Sequence, residues 1–481
     1  MPSPEVSVTP ARRRRWTPMP MQRIALVGPG DKLRNALVRV ADAGVVQLDE
    51  PAVKEGAQLG EAAQRLQRIG FHDGSTDGAV SAMLSATASD LEALERDGRA
   101  DLLAGEAQLQ QYVAGAVHRR DVAALAGWCP SEQVAELAAR LNDAGAAVVS
   151  MPTPRSMDPP TLLGDGDGLR GSFAGMVRTY GIVPYRDIDP TIWAGFVYVA
   201  MFGMMFGDVG HGLLLVAGAV LIQTGWIRRF PSLKPTWMFI AAAGLAAMAF
   251  GVLYGEFFGP TGVVPVVWLA PLDEPLRLLF AALAVGAVLL GIAYAVGAVN
   301  RWREGGVRLA LYAPSGIAGA VLFVGVGIVV AGYTIGPTVS VAVGAVVGTA
   351  GVALALVGLY AESGGGSSGV LQAAIGGFDL VVRLGSNLVS FARLAAFGMT
   401  HAALGWVVWR GAQALWGHGW AAAAVLVFVV GNAIAFALEA LVAGVQALRL
   451  EFYELFSRLF VGEGRPFRPW RIPVDRSEAT C

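Results

Sequence analysis

Charge is scarce in this chain of 481 residues: only 15% are Asp, Glu, Lys or Arg, and lysine is confined to Lys32, Lys54 and Lys234. A soluble globular average lies near about 25% charged, so a uniformly soluble protein is excluded. The net charge of -1 and the absence of a basic patch give no sign of nucleic acid as a partner. Cysteine is limited to Cys129 and Cys481, which make no disulfide framework and fit a reducing compartment. Gly28-Pro29-Gly30-Asp31 lacks the Gly-Lys-Ser/Thr ending of a phosphate loop. The N-terminal half has no catalytic constellation, and catalytic residues, cofactors, metal ligands and an enzyme activity of the chain by itself are not expected. What it has instead is apolar residues, 54% of the total, and a mean hydropathy of +0.53.

Those apolar residues are unevenly placed. Acids and bases concentrate in 1–189, while 190–460 is a series of apolar runs. Arg12 to Arg15 could open a signal peptide, but Pro18, Pro20 and Arg23 break the apolar core that should follow. Residues 1–20 are therefore expected to be a disordered basic extension, with the N-terminus in the cytoplasm. From Gln22 the pattern is α/β. Arg23–Gly28 reads as a strand, Asp31–Gly44 as an amphipathic helix and Val45–Asp49 as a second strand. A helical insertion follows over 57–116. A second strand-helix-strand then takes Val122–Gly127, Ser131–Asn142 capped by Ser131, and Ala146–Met151. This cytoplasmic α/β domain is set at 21–155. Pro152–Gly171 is rich in proline, glycine and aspartate, and the linker is set at 156–185.

The transmembrane domain is expected over 186–462, with a cytoplasmic tail over 463–481. About eight spans can be read: 191–207, 209–226, 237–258, 276–299, 308–333, 338–360, 371–409 and 421–460. The last two exceed the ~20 residues a bilayer requires, which predicts long, tilted helices. The fold class is thus an N-terminal α/β cytoplasmic domain with a short helical arm, followed by an all-α polytopic membrane domain. Arg228, Arg229, Lys234, Arg301, Arg303 and Arg308 would fall in cytoplasmic loops, and Arg458, Arg465, Arg468, Arg471 and Arg476 near or within the tail. Only Arg277 and Arg410 would lie outside. That bias puts both termini in the cytoplasm. Trp406, Trp409, Trp416 and Trp420 would form an aromatic belt at the outer interface.

Polar residues inside the spans carry the functional signal. Arg393 sits in the apolar stretch Asn387–Trp409. A guanidinium stays protonated, and placing it in hydrocarbon costs a few kcal/mol, so it calls for water or a carboxylate. Snorkelling is disfavoured because Arg393 lies far from both ends. Helical positions seven apart nearly superimpose, so Ser386, Arg393 and Thr400 share a stripe, with Ser390 beside it. His401 lies about 80° round from Arg393, at the stripe's edge. In the final span Asn432, Glu439 and Gln446 form a second stripe, with Arg449 close by. The two stripes could face a shared buried path. Glu439 could also pair with Arg393 or Arg449 only to neutralise charge.

These strings resemble a known family. Ser386-Asn-Leu-Val-Ser390-Phe-Ala-Arg393-Leu-Ala-Ala-Phe-Gly-Met-Thr400-His401 is similar to the penultimate helix of the membrane-embedded a (or I) subunit of rotary V-type and A-type ATPases, the V-ATPase 116 kDa subunit family. Glu439 to Phe460 resembles its last helix. Phe202-Gly-Met-Met-Phe-Gly-Asp208-Val-Gly-His211-Gly resembles its first-to-second helix junction and is the most specific string. Tyr254-Gly-Glu256-Phe-Phe-Gly, Tyr185-Arg-Asp-Ile-Asp189-Pro-Thr and Gly462-Glu-Gly-Arg-Pro-Phe-Arg-Pro fit in order.

The resemblance implies a stator subunit beside a ring of c (proteolipid) subunits in a bacterial cell membrane. Two aqueous half-channels would couple H+ or Na+ translocation to rotation, with ATP chemistry on other subunits. Arg393 would be the family's essential arginine and Arg449 its second. Glu439 and His401 would match half-channel positions, with Ser386, Ser390, Thr400 and Gln446 polar neighbours on the route. Asp189, Asp208, His211 and Glu256 belong to family motifs without a derived role, and Gly203, Gly207, Gly210 and Gly212 would allow close helix packing. The N-terminal half would be two α/β lobes joined by an arm, binding peripheral stalk subunits of E/G type and the central-stalk cap. Membrane lipid is the remaining partner. Only about 60 residues separate the lobes here, so the arm must be short. Two other readings stay open at this point: an ion-coupled secondary transporter with a fused cytosolic domain, and an assembly factor or paralogous a-like subunit.

Overall fold

The computed structural model describes residues 17–50, 59–70, 81–154, 157–163, 169–225, 231–334, 336–460 and 464–475. Arg12 to Arg15, Lys54, Arg228, Arg229, Glu463 and Arg476 lie outside the described residues. The chain divides into two compact units, Met1–Leu162 with Gly464–Cys481, and Leu163–Glu463.

The first unit is built on β1 (Met21–Pro29), α1 (Leu33–Ala43) and β2 (Gln47–Leu48). It continues through α2 (Glu61–Arg68), β3 (Leu84–Ser85), α3 (Leu91–Arg96) and α4 (Ala100–Gly115). It then runs through β4 (Val117–Arg119), β5 (Val122–Pro130), α5 (Val134–Asn142) and β6 (Ala147–Ser150). The two strand-helix-strand pieces do not stand as separate lobes. They interleave in one antiparallel sheet of order β2-β5-β1-β6, with β4 added to β5. Pairing β1 with β5 from Met21↔Pro130 to Pro29↔Val122 sets alternate residues such as Ile24 and Leu26 facing α1 and α5. Leu33, Leu37, Val40, Leu137 and Leu141 complete that core. Ser131 does not cap α5; the helix begins three residues later, with Gln133 at its N-cap and no side-chain cap bond.

The short insertion packs back on the sheet domain. Glu106 on α4, 2% exposed, takes both Arg34 guanidinium nitrogens of α1 at 2.6 Å. Gly105 lets Met83 O come within 1.9 Å of where a Cβ would sit, so α4 lies directly on the β3 segment. The C-terminal segment joins this unit too. Its strand β7 (Val474–Asp475) pairs in parallel with β3, and Trp470 N donates to Val46 O at 2.8 Å.

The second unit is helical. It runs α6 (Leu169–Tyr180), α7 (Thr191–Met205), α8 (Val209–Gln223), α9 (Trp237–Tyr254) and α10 (Pro275–Tyr312). It continues with α11 (Ile317–Thr334), α12 (Thr338–Glu362), α13 (Gly366–Ser390), α14 (Ala392–Gly417) and α15 (Ala421–Leu450). A wide π-helical turn over Glu451–Phe456 follows. Among the described residues, six helical runs are long and apolar enough to cross a membrane: Lys234–Tyr254, Pro275–Tyr312, Ile317–Thr334, Thr338–Glu362, Gly366–Gly417 and Ala421–Leu459. The eight expected spans therefore reduce to six of full length, because α7 and α8 hold only 15 residues each. The chain is a multi-pass membrane protein.

Two expected boundaries move. The span over 308–333 starts only at Ile317, since α10 carries on past a kink at Gly305 and Gly306 (φ 72°) to Tyr312. The span over 371–409 is two helices meeting at Phe391. The junction is tightened by i→i+3 bonds from Phe391 N to Leu388 O (3.1 Å) and Leu394 N to Phe391 O (3.0 Å). Close approach uses small residues. Gly212 on α8 and Gly244 on α9 each sit where a Cβ would be within 2.8 Å of the other's carbonyl oxygen.

Candidate functional site

Polar groups buried in an apolar bundle are costly unless paired, so their partners mark the places where structure or function demands them. In the helical unit one group gathers where α8, the α9–α10 loop, α14 and α15 meet. Asp208 ends the α7–α8 connection and is fully buried. Its Oδ1 accepts from His211 N (2.8 Å) and Phe258 N (3.0 Å), and its Oδ2 from Gly259 N (2.7 Å). One carboxylate thus caps α8 and fastens the loop after α9. Gly259 (φ 90°) is required there, because a Cβ would meet Gly405 of α14 at 2.8–3.0 Å.

His401 projects from α14 into this group and is 4% exposed. Its Nδ1 contacts Glu439 Oε2 of α15, and its Nε2 lies 3.8 Å from Glu256 Oε2 of the loop. The His211 ring stands 5.5 Å from the His401 ring, centroid to centroid, with Phe206, Phe258 and Phe436 around it. Asn432, also buried, donates from Nδ2 to Phe428 O at 2.9 Å. Neither ring nitrogen of His211 has a hydrogen-bond partner, nor do Glu256 Oε2, Asn432 Oδ1, Glu439 Oε1 and Gln446 Oε1.

Arg393 occupies a second place, in the first turn of α14 just after the junction. Its side chain is 27% exposed; Nε donates to Ser390 O (3.2 Å) and Nη2 lies 3.5 Å from Glu454 Oε1. Asn387 binds the same carboxylate once its amide is oriented by its neighbours. It then donates to Glu454 Oε2 (3.0 Å) and accepts from Arg458 Nη2 (3.1 Å). Ser386 and Thr400 are exposed, with Ser390 Oγ donating to Ser386 O and Thr400 Oγ1 to Ala396 O. Arg449 is exposed in the last turn of α15.

The expected stripes are only partly brought together. Asn432, Glu439 and Gln446 do face inward along α15. On α14, however, it is His401 and not Arg393 that reaches Glu439, so the alternative of a neutralising pair between Glu439 and Arg393 gives way to a histidine pair. The physical reason is the 100° step per residue, which turns His401 inward while Thr400 beside it faces out. Glu454 and Asn387 were missed. Their only sequence signal is polarity inside Asn387–Ser390 and Glu451–Glu454, next to Arg393 and Arg449.

A third place lies outside the spans. Asp189 accepts from Thr191 N (2.9 Å) and contacts Arg170, which ties α6 to the start of α7 and marks it as a structural clamp. Asp187 nearby is fully buried, and burial together with the Glu304 carboxylate pushes its pKa up to about 8. A cavity of about 550 Å³ between the ends of α14 and α15 is lined by Trp409, Gln413, Trp416 and Phe428, with no titratable group among its lining residues.

The profile of the V-type ATPase 116kDa subunit family matches residues 35–262, a stretch that contains Asp189, Asp208, His211 and Glu256. That stretch is just under half of the chain, and over it the chain resembles that family. Similar relatives include the A-type ATP synthase subunit I of Pyrococcus horikoshii, 26% identical over 396 residues, which cover 79% of this chain and 58% of the relative. The same-named protein of Halobacterium salinarum is 29% identical over 384 residues, covering 65% of this chain and 52% of the relative. The V-type ATP synthase subunit I 2 of Treponema pallidum is 32% identical over 144 residues, 28% of this chain and 32% of that one. The chain spans little more than half the length of the first two.

Proposed function

We propose that this chain is a member of that family and the stator a/I subunit of a rotary V/A-type ATPase, coupling ion translocation to rotation of a ring of c subunits. The observation that carries the reading is the separation of two charged places along α14. Arg393 is partly open on the outer face, while His401 with Glu439 and Glu256 is buried eight residues further on.

Arg393 would meet each ring carboxylate as it passes. A fixed guanidinium favours the ionised form of that carboxylate, so the proton leaves on one side and is regained on the other. Glu454, itself bound by Asn387, holds the arginine head from behind, which keeps it from leaving with the ring anion. His401, Glu439 and Glu256, with Asn432 and Gln446 along α15, offer donors and acceptors for one half-channel. Arg449, Ser386, Ser390 and Thr400 lie on the outer side, where the ring and the second half-channel would be. The lipid-length apolar exposure of α13 and α15, including Phe378, Leu438 and Leu441, suits a ring and lipid as neighbours. Stalk subunits of E/G type and the central-stalk cap would be met by the α/β unit.

The test is Arg393→Ala in the assembled complex reconstituted into vesicles. ATP-driven ion uptake should be abolished with subunit composition unchanged. Uptake at the wild-type rate would end the proposal. Arg449→Ala should slow transport less, and Asp189→Ala least.

A further inference from the structure

We propose that Asp208, His211 and His401, completed by Glu256, form a binding site for a borderline-soft divalent cation of the zinc class. One ligand atom from each of Asp208, His211 and His401 can be chosen so that all three lie within 4.8 Å of one another, and all three residues are buried. Zinc–nitrogen and zinc–oxygen bonds of ~2.0–2.2 Å in a tetrahedron space ligand atoms by roughly 3.4 Å. Small side-chain rotations close that difference.

Four further observations point to a ligand. His211 is 1% exposed, yet neither of its ring nitrogens has a hydrogen-bond partner. Buried polar groups are nearly always paired, and this imidazole has only longer polar contacts, Nδ1 lying 3.9 Å from Asp208 Oδ1 with the Asn432 amide beside the ring, which a bound cation would replace. Glu256 Oε2, on a side chain 4% exposed, is likewise unbonded and lies 3.8 Å from His401 Nε2. His401 is oriented from behind by Glu439 at Nδ1. With the proton on Nδ1, the Nε2 lone pair turns toward Glu256 and His211, which is the carboxylate–histidine–metal arrangement of metalloproteins. Asp208 is fixed in place by three backbone N–H donors. Two imidazoles with carboxylate oxygens suit zinc, and disfavour calcium or magnesium, which take all-oxygen shells.

No short motif announces the site, because its ligands come from α8, the α9–α10 loop and α14. A cation there would tie these elements together. On the transport reading it would also compete with protons for His401. The site itself is judged by metal binding, so its failure is distinct from failure of that reading.

The experiment is titration of the untagged, purified full chain in detergent with Zn2+ against a colorimetric chelator. One zinc per chain is expected. His211→Ala should weaken binding by at least about 100-fold, and Glu439→Gln by about 10–100-fold as an outer-shell change. His118→Ala and His418→Ala should leave the affinity unchanged. No stoichiometric binding, or the same affinity in His211→Ala, would overturn the site. Should His211→Ala fail to fold, Co2+-loaded wild type decides the matter. Tetrahedral d–d bands without thiolate charge transfer are expected. Their absence, or a thiolate band from Cys129 or Cys481, would reject it.

Discussion

Asp187 shows how one side chain sets a pH dependence. It lies outside the spans and is fully buried, with the Glu304 carboxyl beside it. Burial, then the Glu304 carboxylate, raises its pKa from 3.8 to about 8. The folded protein therefore binds this proton more tightly than the unfolded chain does. The stabilisation is full below about pH 4 and is lost as pH rises toward about 8. Across that window the Tm in detergent should fall with rising pH, and Asp187→Asn should flatten the slope. An unchanged slope in the variant would place the titration elsewhere. Arg393 follows the opposite logic. Its charge cannot be shed, so it is met by the Glu454 carboxylate, which Asn387 in turn holds.

The Asp208 carboxylate fastens α8 to the loop after α9, and glycines bring α8 close to α9 and that loop close to α14. Asp208→Ala leaves three buried N–H groups, on His211, Phe258 and Gly259, without their acceptor. Each lost acceptor costs about 1–3 kcal/mol where water cannot replace it. A lower Tm in detergent and faster proteolysis of the loop after α9 are expected, and a wild-type Tm would refute the clamp. Gly251→Ala attacks the same junction from α9. A Cβ there would lie 2.4 Å from Val209 N and 2.6 Å from the Asp208 carbonyl carbon, so backbone must move. Overpacking of this kind costs about 1–3 kcal/mol, and thermal unfolding of the variant measures it.

At the scale of the whole molecule, the α/β unit is completed by a segment that follows the last membrane helix. Trp470 (8% exposed) and Ile472 (4%) belong to its core, and Tyr112 packs 5.0 Å from the Trp470 ring. Trp470→Ala should cost about 3–5 kcal/mol. Deleting 464–481 should leave the α/β unit protease-sensitive. Limited proteolysis reads both, and a resistant N-terminal fragment from the deletion would show that the segment is dispensable.

Much of this was legible in the residues. Short apolar runs within Arg23–Gly28 and Val122–Gly127 announce β1 and β5, because strand-forming tendency is a local property. Apolar run lengths announce the membrane helices, since the bilayer imposes them. The lone Arg393 and the inward face of Asn432, Glu439 and Gln446 follow from sequence spacing in the same way. Only the tertiary structure decided that the two α/β pieces share one sheet, that the chain turns at Phe391 ahead of Arg393, and that Glu439 meets His401 while Arg393 meets Glu454. Those outcomes depend on which distant surfaces fit closely, as Gly286 against the Phe391 ring does. Close packing is a property of pairs of elements, and no single stretch of sequence contains it.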